Sequence, residues 1–213
     1  MSEFHTGRIG QPDPKYKFNF YSIVRMDSSI KRSMVFIDAA NLNGAWQTYC
    51  KRFNQMPKIS YSALLETITA GTDFFRGYLY DATPVPTPAK RQSFFDRLRN
   101  FGITVVTKEL RYKSVTCKHC GVTDSDIPYQ KGVDVAIVTD IMSLAFEDAY
   151  DVAVVVSGDN DFVDAINCVK RKGKIVWLAS FRNSLGTEAM RAADRVIILD
   201  DLFSSIAFEE RKI

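Results

Sequence analysis

DVAVVVSGDND, residues 151–161, carries the reading that decides the fold. Its run from Val152 to Val156 is apolar without polar alternation, so a strand formed there must be covered on both faces. Such strands belong to parallel sheets, whose crossover connections lay helices on each side. The run breaks at Gly158 into a turn carrying Asp159 and Asp161, and a helical pattern then continues to about Lys172.

Outward from this stretch the alternation of strand and helix persists. KIVWLAS at 174–180 reads as another buried strand, a short helix is expected near Gly186 to Ala193, and RVIIL at 195–199 precedes a C-terminal helical tail. Upstream, KGVDVAIVTDIMSLAFED at 131–148 reads as a long apolar helix. PTPAKRQSFFDRLRNFG at 86–102 places Phe94, Phe95, Leu98 and Phe101 on one helical face and stops at Gly102, with ITVVT as the strand that follows. MVFID at 34–38 and FFRGYLYD at 74–81 both end in aspartate and flank a helix around Tyr61 to Thr69, which makes a βαβ unit. The fold class is therefore α/β, a doubly wound, mostly parallel sheet with helices on both faces. Periodicity fails between Lys108 and Gln130, so residues 108–130 read as an inserted loop or small hairpin containing Cys117 and Cys120.

Size and charge narrow the class further. At 213 residues and 46% hydrophobic, the chain suits one sizeable core. It lacks the roughly 20-residue apolar stretch of a membrane span and the apolar segment of a secretion signal, so a cytoplasmic location without membrane association is expected. Residues 1–30 are polar, carry Pro12 and Pro14, and read as a flexible basic arm ahead of a domain over 31–213. Residues 1–33 hold six Lys/Arg against three acidic residues; with totals of 28 and 25, the remainder is balanced at 22 of each sign. Cys50 and Cys168 sit among core-like residues and read as small buried hydrophobes.

Ligands of open parallel sheets bind beyond the carboxyl ends of the strands, and several aspartates fall there. Asp38 closes the first strand, Asp81 ends another, Asp159 and Asp161 follow Val156, and Asp134 lies near the start of the long helix. Each alone could merely cap a helix or open a turn. Gathered at one place they would repel each other unless a hard cation such as Mg²⁺ or Mn²⁺ lay between them. Asp140 is six residues from Asp134, about 120° away around a helix, so both can face one metal only if the helix begins after Asp134.

FIDAANL at 36–42, KGVDVAIVTD at 131–140, SGDNDF at 157–162 and AADRVIIL at 192–199 together resemble the NYN domain, in the right order over roughly Met34 to Leu199. This family, which includes the LabA-like proteins, belongs to the PIN-like nuclease fold. The resemblance implies a metal-dependent ribonuclease, with Asp38, Asp134 and Asp159 holding Mg²⁺ or Mn²⁺, Asp161 and Asp140 assisting, and Asn41 beside the first aspartate. The preference for RNA rests on that resemblance. Ser157 and the N–H groups around Gly158 could contact phosphate.

Cys117-Lys-His-Cys120-Gly has the spacing of half a zinc site. The other half would come from His119, a distant cysteine, or the same loop of another subunit in a homo-oligomer; an unliganded loop and redox chemistry are the alternatives. Lys108, Arg111, Lys113 and Lys118 surround Tyr112 at this insertion and are candidates for gripping a single strand, and Lys131 could touch a phosphate at the site. Lys90, Arg91, Arg97 and Arg99 on one helix read as a solvated face. Three rivals stand beside the ribonuclease. One is an RNA-binding or scaffolding protein with little catalysis, and another is a flap-type DNA nuclease. The third, a phosphatase of the haloacid dehalogenase type, needs a second Asp where this chain has Ala40.

Overall fold

The structure is a computed structural model that describes residues 30–54 and 56–208. The basic arm expected over 1–30 lies outside the described residues except for Ile30. In chain order the elements are β1 (Arg32–Asp38), α1 (Ala39–Lys51), β2 (Lys58–Ile59), α2 (Tyr61–Ile68), β3 (Asp73–Thr83), α3 (Ala89–Asn100), β4 (Ile103–Glu109), β5 (Arg111–Thr116) and β6 (Thr123–Tyr129). There follow α4 (Val133–Phe146), β7 (Val152–Val156), α5 (Val163–Arg171), β8 (Ile175–Ser180), α6 (Thr187–Ala192), β9 (Arg195–Ile198), α7 (Phe203–Ile206) and β10 (Ala207–Phe208).

Six strands form a parallel sheet in the order β4-β3-β1-β7-β8-β9. The chain winds outward from β1 through β3 to β4, returns to the other side of β1 at β7, and winds outward again. Strand order therefore reverses between β1 and β7, where the loops at their carboxyl ends diverge and leave a crevice.

Strand residues alternate between two cores, as the pleat requires. Val35, Ile37, Leu79, Val154 and Val156 meet α1, α2 and α3 on one face. Met34, Phe36, Tyr80, Val155 and Leu178 meet α4, α5 and α6 on the other. Each such fully buried aliphatic or aromatic side chain contributes roughly 1.5–3 kcal/mol. The rigid sheet that results fixes the strand ends from which the functional side chains project. Cys50 is fully buried, as expected, whereas Cys168 is half-buried.

Three local expectations change. A helix, α1, directly follows Asp38, where no element was expected. The strand read as ending at Asp81 continues to Thr83. The C-terminal helical tail is a 3-10 turn and one turn of helix, after which β10 pairs antiparallel with β2. Residues 111–129 form a separate two-stranded hairpin, β5–β6, joined to neither core.

Candidate functional site

Asp38 stands at the end of β1, at the switch point, and is only 6% exposed. Its Oδ1 accepts the backbone N–H groups of Ala40 and Asn41, each at 3.0 Å, and so caps α1. Ser157, the residue after β7, donates its hydroxyl to Asp38 Oδ2 at 3.3 Å. Asn41 returns the connection, its Oδ1 accepting the Gly158 N–H at 3.1 Å. The two central strands are thus stitched together at their carboxyl ends. Burial pushes the Asp38 carboxyl above its ordinary range; the Asn41 N–H draws it down, the nearby Asp134 charge raises it again, and the Ala40 N–H and Ser157 hydroxyl lower it.

The turn after β7 presents two more carboxylates. Asp159 Oδ1 accepts the Asp161 N–H at 3.0 Å and caps the short 3-10 turn Asn160–Phe162, while the Asp159 N–H donates to Ser157 Oγ at 3.3 Å. Asp134 lies in the first turn of α4 on its open side. Partial burial raises its carboxyl, and the charges of Asp159 and Asp161 raise it further. Asp134 therefore lies within electrostatic reach of Asp38, Asp159 and Asp161. Lys131 is exposed just before them, beyond Gly132 at φ 82°, a left-handed conformation suited to glycine.

Asp140 stands apart. Helix α4 begins at Val133, before Asp134, so the condition for both aspartates to face one ion is not met. Instead Asp140 Oδ2 accepts the Tyr80 hydroxyl at 2.8 Å. Asp81, a strand residue adjacent to Tyr80, points to the opposite face and is held by Arg91 of α3, so it does not join the cluster. Ser157 also departs from the expected phosphate contact: it is 2% exposed, and its hydroxyl serves Asp38 and the Asp159 N–H.

The wall behind the turn was not legible beforehand. A Cβ on Gly158 would lie 2.0 Å from the Ser184 carbonyl oxygen and 2.6 Å from Ser180 Oγ, and one on Gly186 would lie 2.2 Å from Asn160 Oδ1. Gly186 donates its N–H to the Gly158 carbonyl at 2.7 Å, and Asn160 Oδ1 accepts the Ala189 N–H at 3.0 Å. Asn160, Ser180, Ser184 and Gly186 thus fix the Asp159 backbone without carrying charge. The one signal for them in sequence is a glycine before a helix at Gly186.

Among the described residues, no three His, Cys, Asp or Glu side chains converge tightly enough to hold a metal ion by themselves. The carboxylates face an open rim. A cleft of about 670 Å³ lies elsewhere, lined by Trp46, Tyr61, Arg91, Phe94 and Phe101, and includes none of these carboxylates.

The hairpin rises beside this rim, between Glu109 at the end of β4 and Lys131. Its register pairs Arg111 with Tyr129 and Lys113 with Ile127, while Tyr112 pairs with Pro128. Cross-strand partners share a face, so Arg111 and Lys113 lie with Tyr129, and Tyr112 lies on the other side. Lys113 already sits 5.5 Å from the centroid of the Tyr129 ring. Lys108, on β4 opposite Ala82, is exposed beside the hairpin base. At the tip Cys117 and Cys120 are both exposed, and the backbone N–H groups of Cys120 and His119 together with the Cys120 thiol lower the Cys117 pKa.

Comparison with known proteins agrees with this layout. The chain is 29% identical over 181 residues to the Low amplitude and bright protein LabA of Synechococcus elongatus, an alignment covering 84% of this chain and 90% of that one. The crystal structure of VPA0982, a protein of unknown function from Vibrio parahaemolyticus RIMD 2210633, has the same fold. Its TM-score is 0.59 at 19% identity, over 86% of this chain and all of that one. No helix among the described residues is long and apolar enough to cross a membrane. The NYN domain family profile matches residues 32–200, across the whole six-stranded sheet and the carboxylate rim, and the chain belongs to the NYN domain family.

Proposed function

We propose that the rim is the active site of a metal-dependent ribonuclease that hydrolyses phosphodiester bonds of single-stranded RNA, cutting within the strand. The observation that carries this reading is the gathering of Asp38, Asp159 and Asp161 around Asp134, within its electrostatic reach, at the switch point of a parallel sheet. Family membership supports the nuclease class, since NYN domains suggest nuclease-type hydrolysis of RNA.

The donor set suits a hard cation, for every side chain offered is a carboxylate. Mg²⁺ binds through one or two carboxylates and keeps several waters, so it does not need three converging side chains. Asp38, Asp134 and Asp159 would hold Mg²⁺ or Mn²⁺, which when bound supplies positive charge beside the scissile phosphate. Asp161 orients the attacking water and takes its proton as the new O–P bond forms and the bond to the leaving oxygen breaks. Asp140, engaged by Tyr80, supports the α4 side of the site. Asn41 and Ser157 hold the Asp38 and Asp159 loops in register. Lys131, with Lys108, Arg111 and Lys113, supplies cations for the strand. A cytoplasmic setting goes with this reading, because exposed thiols such as Cys117 and Cys120 persist where glutathione keeps them reduced.

A second reading is an RNA-binding module without catalysis, favoured by the absence, among the described residues, of three side chains converging on one ion. Incubation of labelled single-stranded RNA with Mn²⁺, Mg²⁺ or chelator separates the two. Cleavage that requires metal and is lost in Asp38→Asn and Asp159→Asn proteins is expected; binding without cleavage under every condition overturns the ribonuclease in favour of the module.

A further inference from the structure

We propose that the tip of the β5–β6 hairpin is half of a tetrahedral zinc site completed by the same tip of a second copy of this chain, giving a four-cysteine centre on a twofold axis. This inference is independent of the catalytic reading.

Cys117 and Cys120 are separated only by Lys118 and His119 and share one tight turn. The turn closes with the Gly121 N–H donating to the Cys117 carbonyl at 3.0 Å and the Cys117 N–H donating to Val122 at 2.8 Å. Gly121 has φ 70°, which lets the chain reverse sharply directly after the second cysteine. Both thiols are therefore carried on one small turn and are exposed.

A structural zinc site is closed by four ligands, and one chain supplies two here. Among the described residues no third His, Cys, Asp or Glu joins the pair. Cys50, on α1, is fully buried in the core, and Cys168 is half-buried on α5. A twofold axis through the metal supplies two further thiolates without any new residue type, because an isologous contact repeats the same patch.

The hairpin itself asks for such a partner. An isolated two-stranded hairpin is at best marginally stable in water, and this one packs against neither core. Near its tip Val115 and Val122 are 44% and 64% exposed, apolar surface that a second tip would cover. At roughly 3.3 Å per residue, the seven residues of β6 set the tip roughly 20 Å from the base of the hairpin.

The test is Zn²⁺ added to reduced, metal-stripped full-length chain, with bound metal and molar mass measured together. Half a zinc per chain with a doubled mass reversed by chelator is expected. Cys117→Ser should abolish both, and His119→Ala should change neither. One zinc per chain at monomer mass, zinc uptake without a change in mass, or no uptake overturns the proposal, as does loss of the metal in the His119→Ala protein.

Discussion

The hydroxyl of Ser157 donates to Asp38 Oδ2 across 3.3 Å while accepting the N–H of Asp159, so a single buried oxygen couples a carboxylate of β1 to the turn after β7. Ser157→Ala removes a bond that lowers the Asp38 pKa, which already stands high through burial. The acid limb of the proposed cleavage should therefore move to higher pH in the variant. Stability should fall by about 1 kcal/mol, the usual net worth of one hydrogen bond. A pH–rate profile superimposable on the parent's would show that Asp38 ionisation does not limit the reaction.

Asp38→Asn should abolish cleavage while leaving the metal-free protein as stable as the parent, or more so, at neutral pH. Asparagine can still cap α1, and it removes a charge held in a buried place beside Asp134. The sign follows from linkage. A carboxyl whose folded pKa is raised favours the folded state below its unfolded pKa, and that contribution is lost as pH rises through the folded value. The advantage of the variant should thus shrink as pH falls toward the ordinary carboxylate range, near 4. Thermal melts across pH without metal check this, and adding Mn²⁺ should raise the Tm of the parent more than that of the variant.

Two glycines give opposite outcomes on substitution by alanine. In Gly158→Ala the added carbon meets the Ser184 carbonyl and Ser180 Oγ, so the turn must move; a loss of at least 1–3 kcal/mol, roughly, and of activity is expected. Gly44→Ala adds a carbon with nothing within 4 Å, inside α1, and should stabilise by about 0.5–1 kcal/mol. Denaturant melts of the pair distinguish a crowded loop from a general sensitivity to alanine.

Hairpin register separates two contributions to RNA binding. Arg111→Ala and Lys113→Ala should each flatten the dependence of log affinity on log salt by roughly 0.7 in a catalytically silent background. Tyr129→Ala should couple energetically to Lys113→Ala, since the ammonium sits over that ring. Tyr112→Ala, on the other face, should add to Lys113→Ala without coupling. Strong coupling of Tyr112 to Lys113 would mean that the strand wraps around the hairpin edge.

Much of this architecture is written in local composition. The run Val152–Val156 announces a strand covered twice, and it is; the apolar stretch after Gly132 announces α4 almost to its ends. Helix α1 escapes because Asn41, Asn43 and Gly44 dilute its first turns, although Leu42, Ala45, Trp46 and Cys50 carry its buried face. Asp38 and Asp81 look alike in sequence, each following an apolar run. What parts them is long-range: the pleat turns Asp81 toward the α3 face, and Arg91 is waiting there. The placing of Tyr129 on the face of Arg111 and Lys113 needed the pairing register of β5 with β6, which no single-strand pattern contains. Asn160 and Ser184 act only through their contacts with each other's loops, so composition alone gives them no mark.

The reversal of strand order between β1 and β7 also sets when the carboxylates can meet. Asp38 and Asp134 are synthesised before β7, and the segment bearing Asp159 takes its place only by inserting next to β1, 119 residues of sequence separating Ser157 from Asp38. Closing so long a loop is intrinsically slow in folding. Neither half of the chain, severed at the hairpin, holds a complete rim, so under the proposed function a half-made chain should not cleave before β7 is seated beside β1.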